Sequence, residues 1–224
     1  MPPEAEAGHP RAVVDRSYTS AMGRTSDARE RILTAAKTLM LSRGYSALGV
    51  AEICKAAGVP KGSFYYFFAS KEELALAVID EHWTAQRAEW TRALDRDVPP
   101  LQGLRRLYDS TADGLRAGQR SCGTVTGCLL GNLALEMSTG TATVRERLRE
   151  VFDEQVALVA ETVAEARGRG EVTVADAHGA ARALVAQLEG QVLFAKLYDD
   201  VGRFDVLWAN SLALLGARDP SLSP

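Results

Sequence analysis

Apolar residues recur at helical spacing along most of this chain, and the pattern predicts a protein built of nine helices. The first stretch, residues 26–43, places its apolar residues on one face, at Ile32, Ala35, Ala36, Leu39 and Met40. We expect Ser26 to cap this helix and Gly44 to end it, since a left-handed glycine commonly follows the last turn. Many Ala, Leu, Glu and Arg residues and few β-branched runs favour helices over strands. The predicted fold class is therefore all-α.

Two short helices follow, and the turn between them is tight. The first covers about residues 49–57, with an inward face of Val50, Ile53, Cys54 and Ala57. Gly58 stops it. Pro60 then suits the first turn of the next helix, about residues 60–67, because an N–H at that position would have no helical partner. Two helices joined by a glycine-containing turn form a helix-turn-helix.

Six longer helices are predicted beyond residue 70. Two capping boxes support their starts: Ser70 with Glu73 opens the fourth helix, and Thr143 with Glu146 opens the seventh. The predicted bounds are about 70–94, 101–116, 125–138, 143–167, 176–198 and 203–216, with a loop at 118–123. Residues 1–24 are rich in Pro, Ala, Glu and Arg without helical apolar spacing, so we expect a disordered arm there.

Charge is divided unevenly along the chain, although the net charge is only −3. Residues 24–71 carry eight basic and three acidic side chains and are therefore +5, whereas residues 72–224 are −7. A basic segment on an acidic body directs an anionic partner to one end of the molecule. The basic segment contains both short helices, which indicates that this partner is a nucleic acid.

Composition and motifs exclude several other classes of protein. No stretch approaches the ~20 consecutive apolar residues of a membrane span, and the N-terminus lacks the apolar core of a signal peptide. Three scattered cysteines without a C-x-x-C pair make no disulfide framework, so we expect a cytoplasmic protein with no metal and no cofactor. The three histidines are isolated, and no nucleophile or phosphate-binding motif is present. We therefore do not expect an enzyme.

The second of the two short helices carries side chains suited to DNA. A helix-turn-helix places the N-terminal half of this helix in the major groove. Lysine offers a charge to phosphate or guanine, glycine permits close approach of the backbone, and serine or tyrosine hydroxyls reach base edges or phosphate oxygens. Phe64 and Phe68 are expected in the core instead. The residues predicted to contact DNA are Ser26, Lys61, Gly62, Ser63, Tyr65, Tyr66 and Lys71.

The run from Val50 to Leu74, VAEICKAAGVPKGSFYYFFASKEEL, closely resembles the DNA-binding signature of TetR-family repressors. A second run, GCLLGNL at 127–133, looks like a subset of that family. The resemblance implies a helix-turn-helix DNA-binding domain at 25–71 and a helical ligand-binding and dimerisation domain at 72–224. It also implies a homodimer that binds a pseudo-palindromic double-stranded DNA operator and is released when a small-molecule inducer shifts the fourth helix.

The chain departs from the family pattern at two places. Family members usually carry a hydroxyl residue just before the second helix, as a cap and a phosphate contact, whereas this chain has Leu48-Gly49. Phe67 stands where His or Tyr is common. Both departures remove polar groups close to the DNA backbone.

The resemblance places a ligand cavity among helices four to eight. Polar residues on otherwise apolar faces are the candidates, because a buried polar group needs a partner. A structural hydrogen bond is the alternative for each of them, and Asn132 and Glu136, four residues apart, are positioned to bond to each other. The candidates are Trp83, Tyr108, Cys128, Asn132, Glu136, Gln155, Gln187 and Gln191.

The last two helices carry apolar stripes that suit a four-helix interface between two copies of the chain. Gly190 would let two helices cross closely. Burial within one chain is the alternative. The predicted interface residues are Leu184, Leu188, Val192, Leu207, Trp208, Leu212 and Leu215.

Two alternatives to a ligand-released repressor stay open at this point. Cys128 is a candidate sensor of electrophiles or oxidants, provided that its surroundings lower the pKa of its thiol. The structural alternative is a small buried apolar residue. A DNA-binding protein without a small-molecule response is the second possibility, although the large helical body is unnecessary for binding DNA alone.

Overall fold

The computed structural model describes residues 16–137, 140 and 142–217, and within them it contains nine α-helices, one 3₁₀ helix and no strand. The helix-turn-helix consists of α2 and α3, packed on α1 and followed by the long α4. The bounds are α1 Arg16–Arg43, α2 Val50–Ala57, α3 Lys61–Phe67, α4 Lys71–Ala93, α5 Pro100–Cys122, α6 Leu129–Met137, α7 Ala142–Gly168, α8 Ala177–Tyr198, the 3₁₀ helix Val201–Val206 and α9 Leu207–Leu215.

The first helix begins earlier than the sequence predicts. α1 starts at Arg16, so Ser26 lies within the helix and is not its N-cap. Residues 1–15 of the predicted disordered arm lie outside the described residues, and residues 16–24 are helical. The predicted end is confirmed, since Gly44 adopts a φ of +81° directly after Arg43.

Several other helix ends differ from their predicted positions. α5 continues through the predicted loop to Cys122 and ends at Gly123, whose φ is +79°. Thr143 lies inside α7, one residue after its start at Ala142, and is therefore not its N-cap, and Glu146 bonds to Arg149. Ser70 does cap α4, because its hydroxyl accepts from the Glu73 N–H at 3.1 Å. The predicted end of the sixth helix at 138 lies outside the described residues.

Two apolar cores divide the molecule, and the boundary between them does not follow the predicted domain boundary. The first core joins α1–α3 to the N-terminal half of α4, to α6 and to the start of α7. The second core joins α5, the rest of α7, α8, the 3₁₀ helix and α9. Cys128, Phe152 and Leu158 pack against both cores. The α1 helix, on which the helix-turn-helix packs, therefore contacts α6 of the C-terminal half directly.

The apolar stripes predicted to form the dimer interface face the interior of this single chain. Their side chains pack against α5 and α7, and Trp208 makes an edge-to-face contact with Tyr108 at 6.4 Å. The outward face of α8 and the 3₁₀ helix carries different apolar residues, namely Leu193, Phe194, Leu197, Tyr198 and Val206. The buried stripe consists of Leu184, Leu188, Val192, Leu207, Leu212 and Leu215.

Candidate DNA-binding helix and ligand cavities

The turn of the helix-turn-helix is held by backbone geometry. Gly58 takes a left-handed φ of +62°, and the Val59 N–H donates to the Cys54 carbonyl at 3.0 Å. Such a conformation favours glycine, which has no Cβ to clash. The chain then enters α3 through Pro60, which stands at the N-cap in extended conformation. α3 is thereby set at a fixed angle to α2.

One face of α3 anchors the helix, and the opposite face is open to solvent. Phe64 is 0% exposed and Phe68 is 2% exposed, so both belong to the core as predicted. Tyr65 and Tyr66 are 54% and 74% exposed, which excludes a core role for either ring. Lys61 and Gly62 share the exposed side, with Ser63 partly exposed. This free face presents a cation, hydroxyls and two aromatic rings.

Lys71 has a structural role that its position in the sequence does not reveal. Its ammonium donates to the carbonyls of Tyr45 at 3.1 Å and Leu48 at 2.9 Å, and it lies 4.1 Å from the centroid of the Tyr45 ring. The positive charge of Lys71 is therefore bound by groups of the protein itself. The predicted DNA contact at Lys71 is therefore replaced by a link between α4 and the α1–α2 turn.

Glu136 holds the same turn from the other side. Its carboxylate accepts from the backbone N–H of Tyr45 at 2.6 Å and of Ser46 at 3.2 Å. A Cβ at Gly44 would stand 2.6 Å from a Glu136 oxygen, so glycine is required there for space as well as for φ. Glu136 is thus a connection from α6 to the helix-turn-helix, and it bonds to these N–H groups rather than to Asn132 as the sequence predicts.

Two cavities lie where α6 and α8 meet their neighbours. One has a volume of about 500 Å³ between α6, α7 and α8, and we call it the α7-side cavity. The other has a volume of about 410 Å³ between α1, α4, α5 and α8, and we call it the α5-side cavity. Both volumes fall in the range of small-molecule sites. Four residues line both cavities: Gly127, Cys128, Glu189 and Val192.

Cys128 and Asn132 are the two predicted ligand residues that line these cavities. Asn132 is held by neighbours, because its amide donates to the Thr126 carbonyl at 3.0 Å and accepts from Lys196 at 3.0 Å. Burial raises the pKa of the Cys128 thiol, and the Glu189 carboxylate raises it further. The thiol is therefore protonated at neutral pH, which is the opposite of what a reactive cysteine needs.

The other predicted ligand residues line neither cavity, and most of them make hydrogen bonds within the protein. The Trp83 indole donates to Glu154 at 2.9 Å, and Gln155 donates to Gln86 at 3.5 Å. The Tyr108 hydroxyl and the Gln187 carbonyl oxygen both bond to the Ser211 hydroxyl. Burial raises the pKa of Tyr108 to about 12. Gln191 is partly exposed and likewise lies outside both cavity walls.

Several polar residues of the α5-side cavity were not among the predicted ligand residues, and His82, Gln86 and Glu189 are three of them. Burial lowers the pKa of His82 to about 4, so its imidazole is neutral at pH 7. A signal for Glu189 existed in the sequence, since it stands four residues after Val185 and three before Val192, on the buried stripe of α8. Because a carboxylate is costly to bury without a partner, an acidic residue on an apolar stripe indicates a position where the charge has a role.

The loop that carries Cys128 is positioned by the end of α8. Asp199 takes a left-handed φ of +51° there, and its carboxylate accepts from the Val125 N–H at 2.7 Å and the Thr124 hydroxyl at 3.0 Å. Gln119 of α5 donates to the same carboxylate. These hydrogen bonds lower the pKa of Asp199, with the backbone N–H as the largest cause. The cavity wall at 124–128 is therefore tied to α5 and α8.

Comparisons with known proteins agree on one family. The family model for "Bacterial regulatory proteins, tetR family" matches residues 32–78, and that for "Tetracyclin repressor-like, C-terminal domain" matches residues 100–210. The transcriptional regulator AcuR of Cereibacter sphaeroides is 34% identical over 200 residues, which are 88% of this chain and 85% of AcuR. The chain belongs to the TetR family of bacterial transcriptional regulators.

Solved structures of TetR-family proteins share the whole architecture. The regulatory protein TetR from Rhodobacter sphaeroides is 31% identical and superposes with a TM-score of 0.75 over 82% of this chain and 96% of its own. The reduced form of Escherichia coli NemR is 27% identical, with a TM-score of 0.76 over 86% of this chain and 98% of its own. The predicted all-α fold and the predicted non-enzymatic regulator are thereby confirmed. None of the helices in the described ranges has the length and apolar content to cross a bilayer.

The α2 start departs from the TetR-family pattern in a way that a single substitution can restore. Gly49 is the N-cap of α2, makes no side-chain cap, and has φ −99° and ψ 148°, which any residue adopts. A Cβ there would meet open space, and Leu48 is buried beside it. The hydroxyl that family members usually carry at this point is therefore absent, although the backbone conformation and the free space at Gly49 would accept a serine.

Gly49→Ser is expected to stabilise the protein by a few tenths of a kcal/mol, because serine caps a helix slightly better than glycine. The same hydroxyl adds a phosphate contact, so operator affinity is expected to rise severalfold. Thermal unfolding and DNA titration measure the two effects. Gly168→Ser, at another unobstructed glycine at the end of α7 and outside both cavities, is the control that leaves operator affinity unchanged. Unchanged affinity in Gly49→Ser would contradict the phosphate contact.

Proposed function

We propose that this regulator is a repressor that binds a pseudo-palindromic DNA operator as a homodimer and leaves it when a small molecule enters its cavities. The observation that carries the proposal is the position of α6. Gly131 and Asn132 of this helix line the α7-side cavity, and Glu136 bonds to the turn before α2. One short helix therefore connects the cavity wall to the DNA-binding unit.

The exposed face of α3 supports DNA as the partner. Lys61, Tyr65 and Tyr66 project from a helix whose other face is fixed by Phe64, so the backbone that carries them is in place before DNA arrives. A preorganised backbone lowers the entropic cost of binding. Lys61 and the tyrosine hydroxyls contact phosphate or base edges in the major groove, and the rings pack against sugar or thymine methyl groups.

The outward face of α8 supports a homodimer. Leu193, Phe194, Leu197 and Tyr198 are all exposed on one half of this helix, and such a contiguous apolar patch marks an interaction site. Gly190 precedes them and has open space around its Cβ position, which permits close helix crossing. A second copy packing on this face by two-fold symmetry places two recognition helices on successive major grooves, about 34–36 Å apart.

Release follows from the two links to the α1–α2 turn. Lys71 of α4 binds the carbonyls of this turn, and Glu136 of α6 binds its N–H groups. A ligand that displaces α6 or α4 moves the turn and with it α2 and α3. Because half-site spacing is set by the DNA, a small displacement in each protomer abolishes the fit. The ligand binds more tightly to the displaced arrangement than to the DNA-binding arrangement, and it therefore shifts the equilibrium between the two toward release.

The test is DNA binding to the region upstream of the protein's own gene across salt concentrations, for wild type and Lys61→Ala. Each phosphate contact adds about 0.9 to the slope of log K against log salt. We expect tight, salt-dependent binding for wild type and a slope reduced by about one in the mutant. Arg106→Ala, which removes an exposed cation on α5, is expected to leave the slope unchanged. Salt-insensitive binding, or none to any duplex, would contradict the proposal.

The Cys128 sensor is less well supported than ligand release. The thiol accepts a contact from the Gly131 N–H at 3.4 Å and stands beside the Glu189 carboxylate, so no cation stabilises a thiolate in these contacts. A DNA-binding protein without a small-molecule response is less well supported too, because two cavities of ligand size adjoin the helix that reaches the DNA-binding unit.

A further inference from the structure

Glu189 stands at the junction of the two cavities. It lies on the buried stripe of α8, between Val185 and Val192, and contributes to both cavity walls. The α7-side cavity around it is mostly apolar, with Phe152 and Val156 on the opposite wall. Other charged side chains line one cavity each, namely Asp153, Arg182 and Lys196 in the α7-side wall and Lys37 and Glu89 in the α5-side wall, whereas Glu189 is the charged residue that lines both.

Close packing brings the Glu189 carboxylate against α6. A Cβ at Gly131 would stand 2.6 Å from a Glu189 oxygen, so the approach depends on the glycine. The Cys128 thiol is the other neighbour, and it shares a hydrogen bond with the carboxylate. The position of Glu189 is therefore defined by helix packing and not by an ion pair.

No cationic group lies within 4.0 Å of the Glu189 carboxylate in the ranges that the structure describes. Lys196, on the same cavity wall, donates instead to Asn132 at 3.0 Å. Arg182 is exposed and lies seven residues earlier on α8, about 10 Å along the helix axis. Burial raises the pKa of Glu189, as expected for a carboxylate without a charged partner.

We infer that the cavities bind a cationic amphiphile, a protonated amine or quaternary ammonium on an apolar body, with its cationic group against Glu189. A partly buried carboxylate on an apolar wall is costly until a cation pairs with it, and the ligand supplies that cation. The apolar body lies along Phe152, Val156 and Val192. An anionic ligand is repelled by Glu189, and a neutral one leaves the carboxylate unpaired. This inference rests on the proposed function, since it names the ligand class of that same site.

The experiment compares three probes with one apolar body: 4-phenylbutylamine, 4-phenylbutanol and 4-phenylbutyrate. Trp90 lines the α5-side cavity, so its fluorescence reports occupancy, and calorimetry checks the affinities. Wild type is expected to bind the amine at least about tenfold more tightly than the alcohol, and the carboxylate most weakly. Glu189→Gln keeps the side-chain shape and is expected to abolish the preference for the amine. Glu146→Gln, which removes an exposed acid of α7 outside both cavities, is the matched control that keeps it.

A second variant guards against a misfolded mutant. Gly131→Ala keeps Glu189 but forces its carboxylate away from α6, so the amine preference is expected to fall while helical content stays constant. Equal or weaker binding of the amine by wild type, or no binding of any probe, would overturn the inference. Operator binding without ligand is measured on the same samples. If operator binding is absent while the amine preference is retained, only the proposed function is contradicted. If operator binding is retained while the amine preference is absent, only the ligand class is contradicted.

Discussion

Leu197→Glu is expected to convert the protein from a dimer to a monomer and to weaken operator binding by roughly 10³-fold, because joined half-site contacts gain about 10²–10⁴ in affinity. Leu197 is 68% exposed in the single chain, so the substitution leaves the interior intact. In a dimer built on the outward face of α8, the new carboxylate would be buried against the partner without a cation. The substitution is therefore expected to change the oligomeric state without changing the fold of the single chain.

Sedimentation or light scattering reports the oligomeric state, and a gel-shift titration reports operator affinity. Ala88→Glu is the matched control: this alanine is exposed on α4, outside the α8 face and both cavities. The control is expected to remain dimeric. A Leu197→Glu protein that stays dimeric, with the same thermal stability as wild type, would show that the interface lies elsewhere.

The helix-turn-helix could be predicted from the sequence because its determinants are local. Helical spacing separates Phe64 and Phe68 from Tyr65 and Tyr66, and the structure places the first pair inside and the second pair outside. Gly58 ends α2 with a left-handed φ, as its position between two apolar stretches predicts. Each of these features depends on residues only a few positions apart.

The proposed dimer face could not be predicted from the same kind of pattern. α8 carries apolar residues on two sides, and spacing alone does not tell which side meets the protein's own α7 and which remains exposed. The larger stripe, which includes Leu184 and Leu188, packs inside the chain. The exposed stripe at Leu193 and Leu197 is shorter and adjoins the C-terminal end of the helix. Burial in the folded chain is needed to distinguish the two.

Long-range polar contacts were equally hidden from the sequence. The Lys71 contacts span 23 and 26 residues, and those of Glu136 span 90 and 91. In the sequence each side chain has a simpler local interpretation, as a phosphate contact for Lys71 and as a ligand or Asn132 partner for Glu136. Their actual partners are backbone groups of one turn, which no motif marks. The link between cavity and DNA-binding unit is therefore visible only in three dimensions.

Glu136→Ala is expected to release the α1–α2 turn and to weaken operator binding by about 5- to 30-fold, which corresponds to about 1–2 kcal/mol. The two N–H groups of Tyr45 and Ser46 lose a charged acceptor, and hydrogen bonds to charged groups contribute about 1.5–3 kcal/mol when shielded from water. Because Glu136 is exposed, water replaces part of the hydrogen-bond free energy that its removal costs, and the smaller estimate of about 1–2 kcal/mol applies. Amide hydrogen exchange at Tyr45 and Ser46 is expected to accelerate about tenfold, because their protection depends on the turn staying closed.

The control variant is Glu150→Ala, which removes an exposed carboxylate of α7 that accepts a hydrogen bond from Arg147 at 3.0 Å. That variant is expected to leave both exchange and operator affinity unchanged. Unaltered exchange at Tyr45 and Ser46 in Glu136→Ala would mean that the turn is held by Lys71 alone, and the path from α6 to DNA would be wrong. Faster exchange with weaker operator binding would establish that α6 controls the DNA-binding unit through two backbone N–H groups. A ligand then needs only to displace α6 from that turn to loosen the protein's hold on DNA.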